Sequence, residues 1–115
     1  MHVRVRLLGE FAVAVDGAEV AIAAWKSRRA TQLVALLALA PNRRLGTEQV
    51  MDRLWPDLSP EAARANLHKT ATLARQAMGT KDAVVLRAEG VWLWPEADIT
   101  VDLHEFELAA QRALA

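Results

Sequence analysis

The amino-acid sequence predicts an α+β fold with an N-terminal antiparallel three-stranded sheet, a three-helix core and a C-terminal β-hairpin. Three observations predict it. Apolar residues alternate with polar ones at the start of the chain, recur at helical spacing through its middle, and form two short strand-like runs between residues 83 and 94. A chain of 115 residues with 53% hydrophobic and 24% charged residues has the composition of an ordinary globular protein and is long enough for one core.

Val3, Val5 and Leu7 alternate with Arg4 and Arg6, the period of a strand with one buried face, and Phe11, Val13 and Val15 repeat it. Asp16-Gly17 is a tight-turn dipeptide, after which Ala18 to Ile22 return as a third strand. Trp25-Lys26-Ser27-Arg28-Arg29 then leads into a helix from Ala30 to Ala40. Leu33, Val34, Leu36, Leu37 and Leu39 leave that helix almost no polar face, so it is expected to be the most buried one. Pro41-Asn42 ends it. Arg43 and Arg44, read as solvated loop residues, lead through Leu45-Gly46 to a second helix that Thr47 caps. Val50, Met51, Leu54 and Trp55 form its apolar side, and Pro56 stops it.

The third helix runs from residue 60 to residue 78 and carries signals at both ends. Ser59 caps it, Pro60 suits the first helical position, Glu61 complements the dipole, and Gly79 offers a left-handed stop. Ala63, Leu67, Ala71, Ala74 and Met78 form a narrow apolar stripe. Ala65, Lys69, Thr72 and Gln76 lie opposite, and Arg64, His68 and Arg75 share one flank. An outer face of basic, amide and hydroxyl groups, with alanines that admit close approach and no carboxylate beyond Glu61, suits DNA; the bland reading is a solvated helix face. Beyond it, the hairpin spans residues 83–94 and turns at Glu89-Gly90. Ile99-Thr100-Val101 forms a brief strand, and Asp102 caps a last helix through Leu103, Phe106, Ala109, Ala110 and Ala113. Its apolar side is expected to fold back or to pair, and to be the first element of a following helical domain.

Formal net charge is zero, but its distribution is uneven. Residues 26–81 hold ten Lys or Arg against four Asp or Glu, whereas residues 82–115 hold two against seven. A basic middle beside an acidic end is compatible with a DNA-binding unit. The absence of cysteine excludes disulfides and thiolate metal sites. No charge-free apolar stretch reaches the ~18 residues of a membrane span, and the N-terminus has too few apolar residues for a secretory signal, so a cytoplasmic protein without membrane contact is expected, nucleoid-associated if it binds DNA. His2, His68 and His104 lack companions at metal spacing. With no phosphate loop and no nucleophile elbow, neither cofactor nor enzymatic activity is expected.

The segments VRLLGEFAVAVDGAEV, RATQLVALLALAPNRRLGTEQVMDRLWPD, AARANLHKTATLARQAMG and VDLHEFELA, in this order, carry a resemblance. They resemble the winged helix-turn-helix domain of OmpR-type transcription regulators, and within these the actinomycete antibiotic regulatory proteins, the SARP family, with their larger relatives. The resemblance implies a bacterial transcriptional regulator, typically an activator. Residues 1–101 would be its DNA-binding domain, and residues 102–115, with the Asp102-x-x-x-Phe106-Glu107 pattern, the first helix of a TPR-like activation domain. It implies binding to double-stranded DNA at promoter direct repeats, with helix 60–78 in the major groove and the wing, residues 83–94, near the minor groove. Asn66, Lys69, Thr72, Arg75 and Gln76 become candidates for groove contacts, Arg87 for the wing, and Lys26, Arg28, Arg29, Arg64 and His68 for the backbone. The loop residues Asp57 and Leu58 become candidates for contact with the RNA polymerase sigma subunit. Many family members carry Arg in the segment that here has Leu73, Ala74 and Gln76, so base preferences do not transfer.

Each candidate has a plainer reading. Cations at the helix start formed by Lys26, Arg28 and Arg29 oppose the dipole, which a polyanion would compensate; otherwise they form a solvated turn. Thr47 is a cap that can also take a phosphate. His68 is a flank residue facing DNA or plain helix surface. Trp25, Trp55, Trp92 and Trp94 read as core, against stacking platforms for single strands. Two other functions stay open: a winged-helix protein-interaction module without DNA binding, which zero net charge suits, and an RNA- or single-strand-binding module built on Trp92 and Trp94.

Overall fold

The computed structural model describes residues 1–114; Ala115, the last residue of the 102–115 segment, lies outside the described residues. Among them the chain is an α+β fold with two small sheets and four α-helices. No helix among the described residues is long and apolar enough to cross a membrane.

Alternation builds the first sheet. Strands β1 (His2–Arg6) and β2 (Ala12–Val15) pair antiparallel, Val3 with Val15 and Val5 with Val13, which buries Val3, Val5 and Val13 and leaves Arg4 and Arg6 exposed. The tight turn forms at Asp16 and Gly17, both at positive φ, but β3 is only Ala18–Glu19. The expected strand to Ile22 is cut short: Val20 donates one more bond to the Val13 carbonyl, and Ile22–Ala24 coils into a 3-10 turn. Nor is this sheet three-stranded and purely antiparallel as expected. A fourth strand, β7 (Asp98–Val101), pairs in parallel with β1, giving the order β3-β2-β1-β7. Parallel pairing needs a long crossover, and the intervening helices and second sheet supply it.

Helix α1 (Arg28–Leu39) buries Ala30, Leu33, Val34, Leu37 and Ala38, while Leu39 stays exposed. Its cap is Ser27, whose Oγ accepts from the Ala30 N–H. After it, Arg44–Gly46 forms strand β4 where a loop was expected. Helix α2 (Thr47–Leu54) buries Val50, Met51 and Leu54. Thr47 does not cap it: Gly46 is the N-cap residue, and the Gln49 side chain, three positions on, accepts from the Gly46 N–H at 2.8 Å. Thr47 instead donates its own N–H to the Glu89 carbonyl, joining α2 to the hairpin.

Helix α3 (Pro60–Met78) has the expected ends. The Ser59 Oγ accepts from the Ala62 N–H at 3.2 Å, and Gly79 is left-handed at φ 82°. The whole predicted stripe is buried, joined by Thr70. Strands β5 (Val84–Arg87) and β6 (Gly90–Leu93) form the hairpin, and β4 pairs with the other edge of β6, so the order is β4-β6-β5. One face of this second sheet sends Val84, Val91 and Leu93 into the core shared with α1, α2 and α3.

Helix α4 (Asp102–Leu114) contributes no buried residue. Of the two alternatives expected for it, folding back or pairing, folding back is at most partial: the helix meets β1 and β7 and Leu103 packs half-buried against the core, while Phe106, Leu108 and Leu114 are exposed. Asp102 does more than start a helix. Its carboxylate accepts from the N–H groups of Leu7 at 2.7 Å and Leu8 at 3.0 Å, fixing the end of β1. Burial disfavours the ionised carboxylate, but hydrogen bonds from the Leu7, Leu8 and Leu103 N–H groups, with the charge of Arg4, outweigh that and hold its pKa below the usual value.

Candidate nucleic-acid interface

Because the stripe of α3 is buried against α1 and α2, the rest of the helix surface must face away from the core. At 100° per residue, Arg64, His68, Thr72, Ala65, Gln76 and Lys69 occupy one continuous arc, and all six are exposed. Glu61 is the one carboxylate on this helix. Of the ten Lys and Arg of residues 26–81, none makes an ion pair among the described residues. The three ion pairs found there are His2 with Asp98, Arg4 with Glu105 and Arg6 with Glu19, all on the first sheet or its neighbours. The unpaired cations therefore lie on the helices, the loops and the second sheet, away from the ion pairs of the first.

One edge of the arc meets the hairpin. Arg64, Leu67 and His68 on α3 share a groove with Thr47 at the start of α2 and with Leu86, Arg87 and Ala88 at the end of β5. A second groove continues from Arg64 past Gly46, Thr47 and Gln49 to Ala88 and Glu89. Four candidates that were separate in sequence, Thr47, Arg64, His68 and Arg87, are thus brought together.

Two groove-contact candidates are engaged by the protein's own backbone. The Arg75 Nε donates to the Val84 carbonyl at 2.8 Å, so this half-buried guanidinium ties α3 to the start of β5. Asn66, also half-buried, lies on the opposite edge of the arc, and its Nδ2 donates to the Ala62 carbonyl at 2.9 Å. Thr72 stays in the arc with its hydroxyl donating to the His68 carbonyl, which leaves its oxygen lone pairs facing outward as acceptors. Lys69 and Gln76 have no side-chain hydrogen bond among the described residues.

The N-terminal cations fall elsewhere. Arg28 and Ser27 line a cleft with Arg6, Phe11, Glu19 and Trp25, beside the first sheet. Arg29 donates to Gln32 at 2.6 Å, and Lys26 is exposed. Asp57 and Leu58 are exposed in the loop between α2 and α3, and Trp55, Pro56 and Leu58 border a shallow pocket with Glu48 and Asp52.

Arg43 and Arg44 are not free loop residues. Arg43 is half-buried, and its Nη2 donates to the Ala97 carbonyl at 3.2 Å. The Arg44 guanidinium lies 5.0 Å from the centre of the Trp92 ring, and Arg87 lies 5.3 Å from the same ring. Trp94 is buried and Trp25 packs edge-on against Phe11, but Trp92 stands on the outer face of the second sheet. Alternation along β6 was the signal for this, because Val91 and Leu93 point inward and Trp92 must point out. No family model, no curated protein and no solved structure matches the chain.

Proposed function

We propose that the chain is a sequence-specific double-stranded DNA-binding unit of the winged helix-turn-helix kind, with α3 as recognition helix and the β5–β6 hairpin as the wing. The observation that carries this reading is the exposed arc of Arg64, Ala65, His68, Lys69, Thr72 and Gln76, bordered by a groove that leads to Arg87. Its small residue, Ala65, keeps the arc low enough for a major groove about 12 Å wide. Lys69 and Arg64 supply charge that positions the helix on phosphates, while Gln76 is the amide left to read base edges, since Asn66 is held by its own helix. The resemblance to the SARP family supports the same reading, including contact of Asp57 and Leu58 with the polymerase sigma subunit.

Selection from a random duplex library tests this directly. A bound pool enriched in a repeated sequence is expected, and an unenriched pool overturns the proposal. A docking module without DNA binding is the second reading, favoured by the net charge of zero; little dependence of partner binding on salt would support it.

A further inference from the structure

The outer face of the second sheet holds an arrangement that the reading above leaves unused. Register places Arg44 on β4 directly opposite Trp92 on the central strand β6, and Arg87 on β5 opposite Gly90. Residues two apart share a face, so Arg44, Trp92, Gly90 and Arg87 all lie on the side turned away from the core. The Trp92 ring leans over Gly90: a Cβ there would sit 2.8 Å from the ring and 3.0 Å from the Arg44 Nε, so only glycine lets the ring and the guanidinium settle this close to the backbone. One guanidinium then reaches the ring from each flanking strand, at 5.0 and 5.3 Å.

Two like charges gathered on one ring repel each other, and no carboxylate pairs with either among the described residues. The ring's negative face attracts each cation but neutralises neither. Both guanidiniums keep their N–H edges available, and the Arg87 end of the array borders the groove beside α3.

We propose that Arg44, on the strand beside the hairpin, is a second DNA-backbone contact of this sheet, paired with Arg87 in a clamp for two DNA phosphates, and that Trp92 is the positioning residue that holds the two guanidiniums in place. The proposal rests on the DNA-binding reading above. Charge complementarity selects the occupant: two unpaired planar cations on a rigid sheet suit a phosphodiester backbone. The clamp reads no sequence, so it adds affinity for any duplex.

The test is the salt dependence of binding to a fixed random-sequence duplex for wild type, Arg44→Gln, Arg87→Gln, Trp92→Leu, Trp92→Phe and, as a control cation on the first sheet, Arg6→Gln. Each clamp arginine should lower the slope of log affinity against log salt by about 1, and Arg6→Gln should leave it unchanged. Trp92→Leu should weaken binding about two- to five-fold, with Trp92→Phe restoring most of the loss. Thermal unfolding of each variant separates this from loss of fold; if Trp92→Leu unfolds, the arginine slopes alone decide. Wild type that binds with a steep salt slope that Arg44→Gln leaves unchanged overturns the clamp and spares the DNA-binding reading. Wild type that binds no duplex overturns both.

Discussion

Helices α3 and α4 look alike in sequence and differ in what they do. Each has an acidic first turn and apolar residues at helical spacing. In α3 the stripe is buried, with Leu67 at 1% exposure, while in α4 nothing is buried and Phe106 is 61% exposed. The difference lies in the partners. The stripe of α3 is narrow and rich in alanine, which lets α1 approach closely, and the second sheet closes the same core. Helix α4 meets chiefly β1 and β7, the parallel strand pair at one edge of the first sheet. Amphipathicity states that a helix has a face to cover; it does not state that the cover is within reach. The same contrast bears on the proposed function, in which a helix seated firmly on its inner face offers its outer face as a rigid reader.

The largest expected effect tests that seating. Leu67→Ala removes most of a fully buried side chain from the core, so it should destabilise the protein by about 2–5 kcal/mol in urea unfolding. A loss below about 1 kcal/mol would mean that α3 is not anchored through its stripe.

The second effect separates support from reading on the same helix. Arg75 donates to the Val84 carbonyl, so Arg75→Ala removes the tie between α3 and β5 and should cost about 1–2 kcal/mol of stability. Its salt slope for duplex binding should stay that of wild type, whereas Lys69→Ala should lower the slope by about 1. A lowered slope for Arg75→Ala would return this residue to the contact surface.

These residues also mark where sequence reading stops. The ends of α3 were readable because caps and stops are local: Ser59, Pro60 and Gly79 act on N–H and carbonyl groups within a turn. The tight turn at Asp16 and Gly17 was readable for the same reason. Strand β4 was not, because its three residues show no alternation of their own and become a strand only by pairing with β6, far along the chain. The β1–β7 pair depends in the same way on a partner almost a whole chain away. In the candidate site, helical spacing named the outward arc but not the side-chain partners. That Arg75 reaches Val84, that Asn66 turns back on Ala62, and that Arg44 rests on Trp92 are consequences of tertiary placement. Thr47 failed as a cap by one position, since Gln49 reaches the Gly46 N–H first.

The third effect lies at the root of α4. Asp102→Asn keeps the shape but removes the charge that the Leu7 and Leu8 N–H groups bind, and for this partly exposed group the loss at neutral pH should be about 1 kcal/mol. Because the folded pKa is depressed, the stabilisation is present above the unfolded value of about 3.9 and is lost as pH falls through the lower folded value. Wild type and variant should therefore draw together as pH falls below about 4 and converge only below the lower folded value. A constant difference across that range would assign the effect to packing instead of charge.

The smallest effect completes the comparison from the side of α4. Phe106 belongs to the apolar spacing of α4, yet its ring is mostly in water, so little apolar area is removed from solvent by folding. Phe106→Ser should then change stability by no more than about 0.5 kcal/mol, against several for Leu67→Ala. The contrast between the two losses then follows the contrast in burial between the two stripes. Phe106→Ser should also leave duplex affinity unchanged, since the arc of α3 and the hairpin tip owe nothing to the last helix. A loss comparable to that of Leu67→Ala would mean that in solution α4 turns its apolar side onto the protein, and that the two helices are alike in structure as well as in pattern.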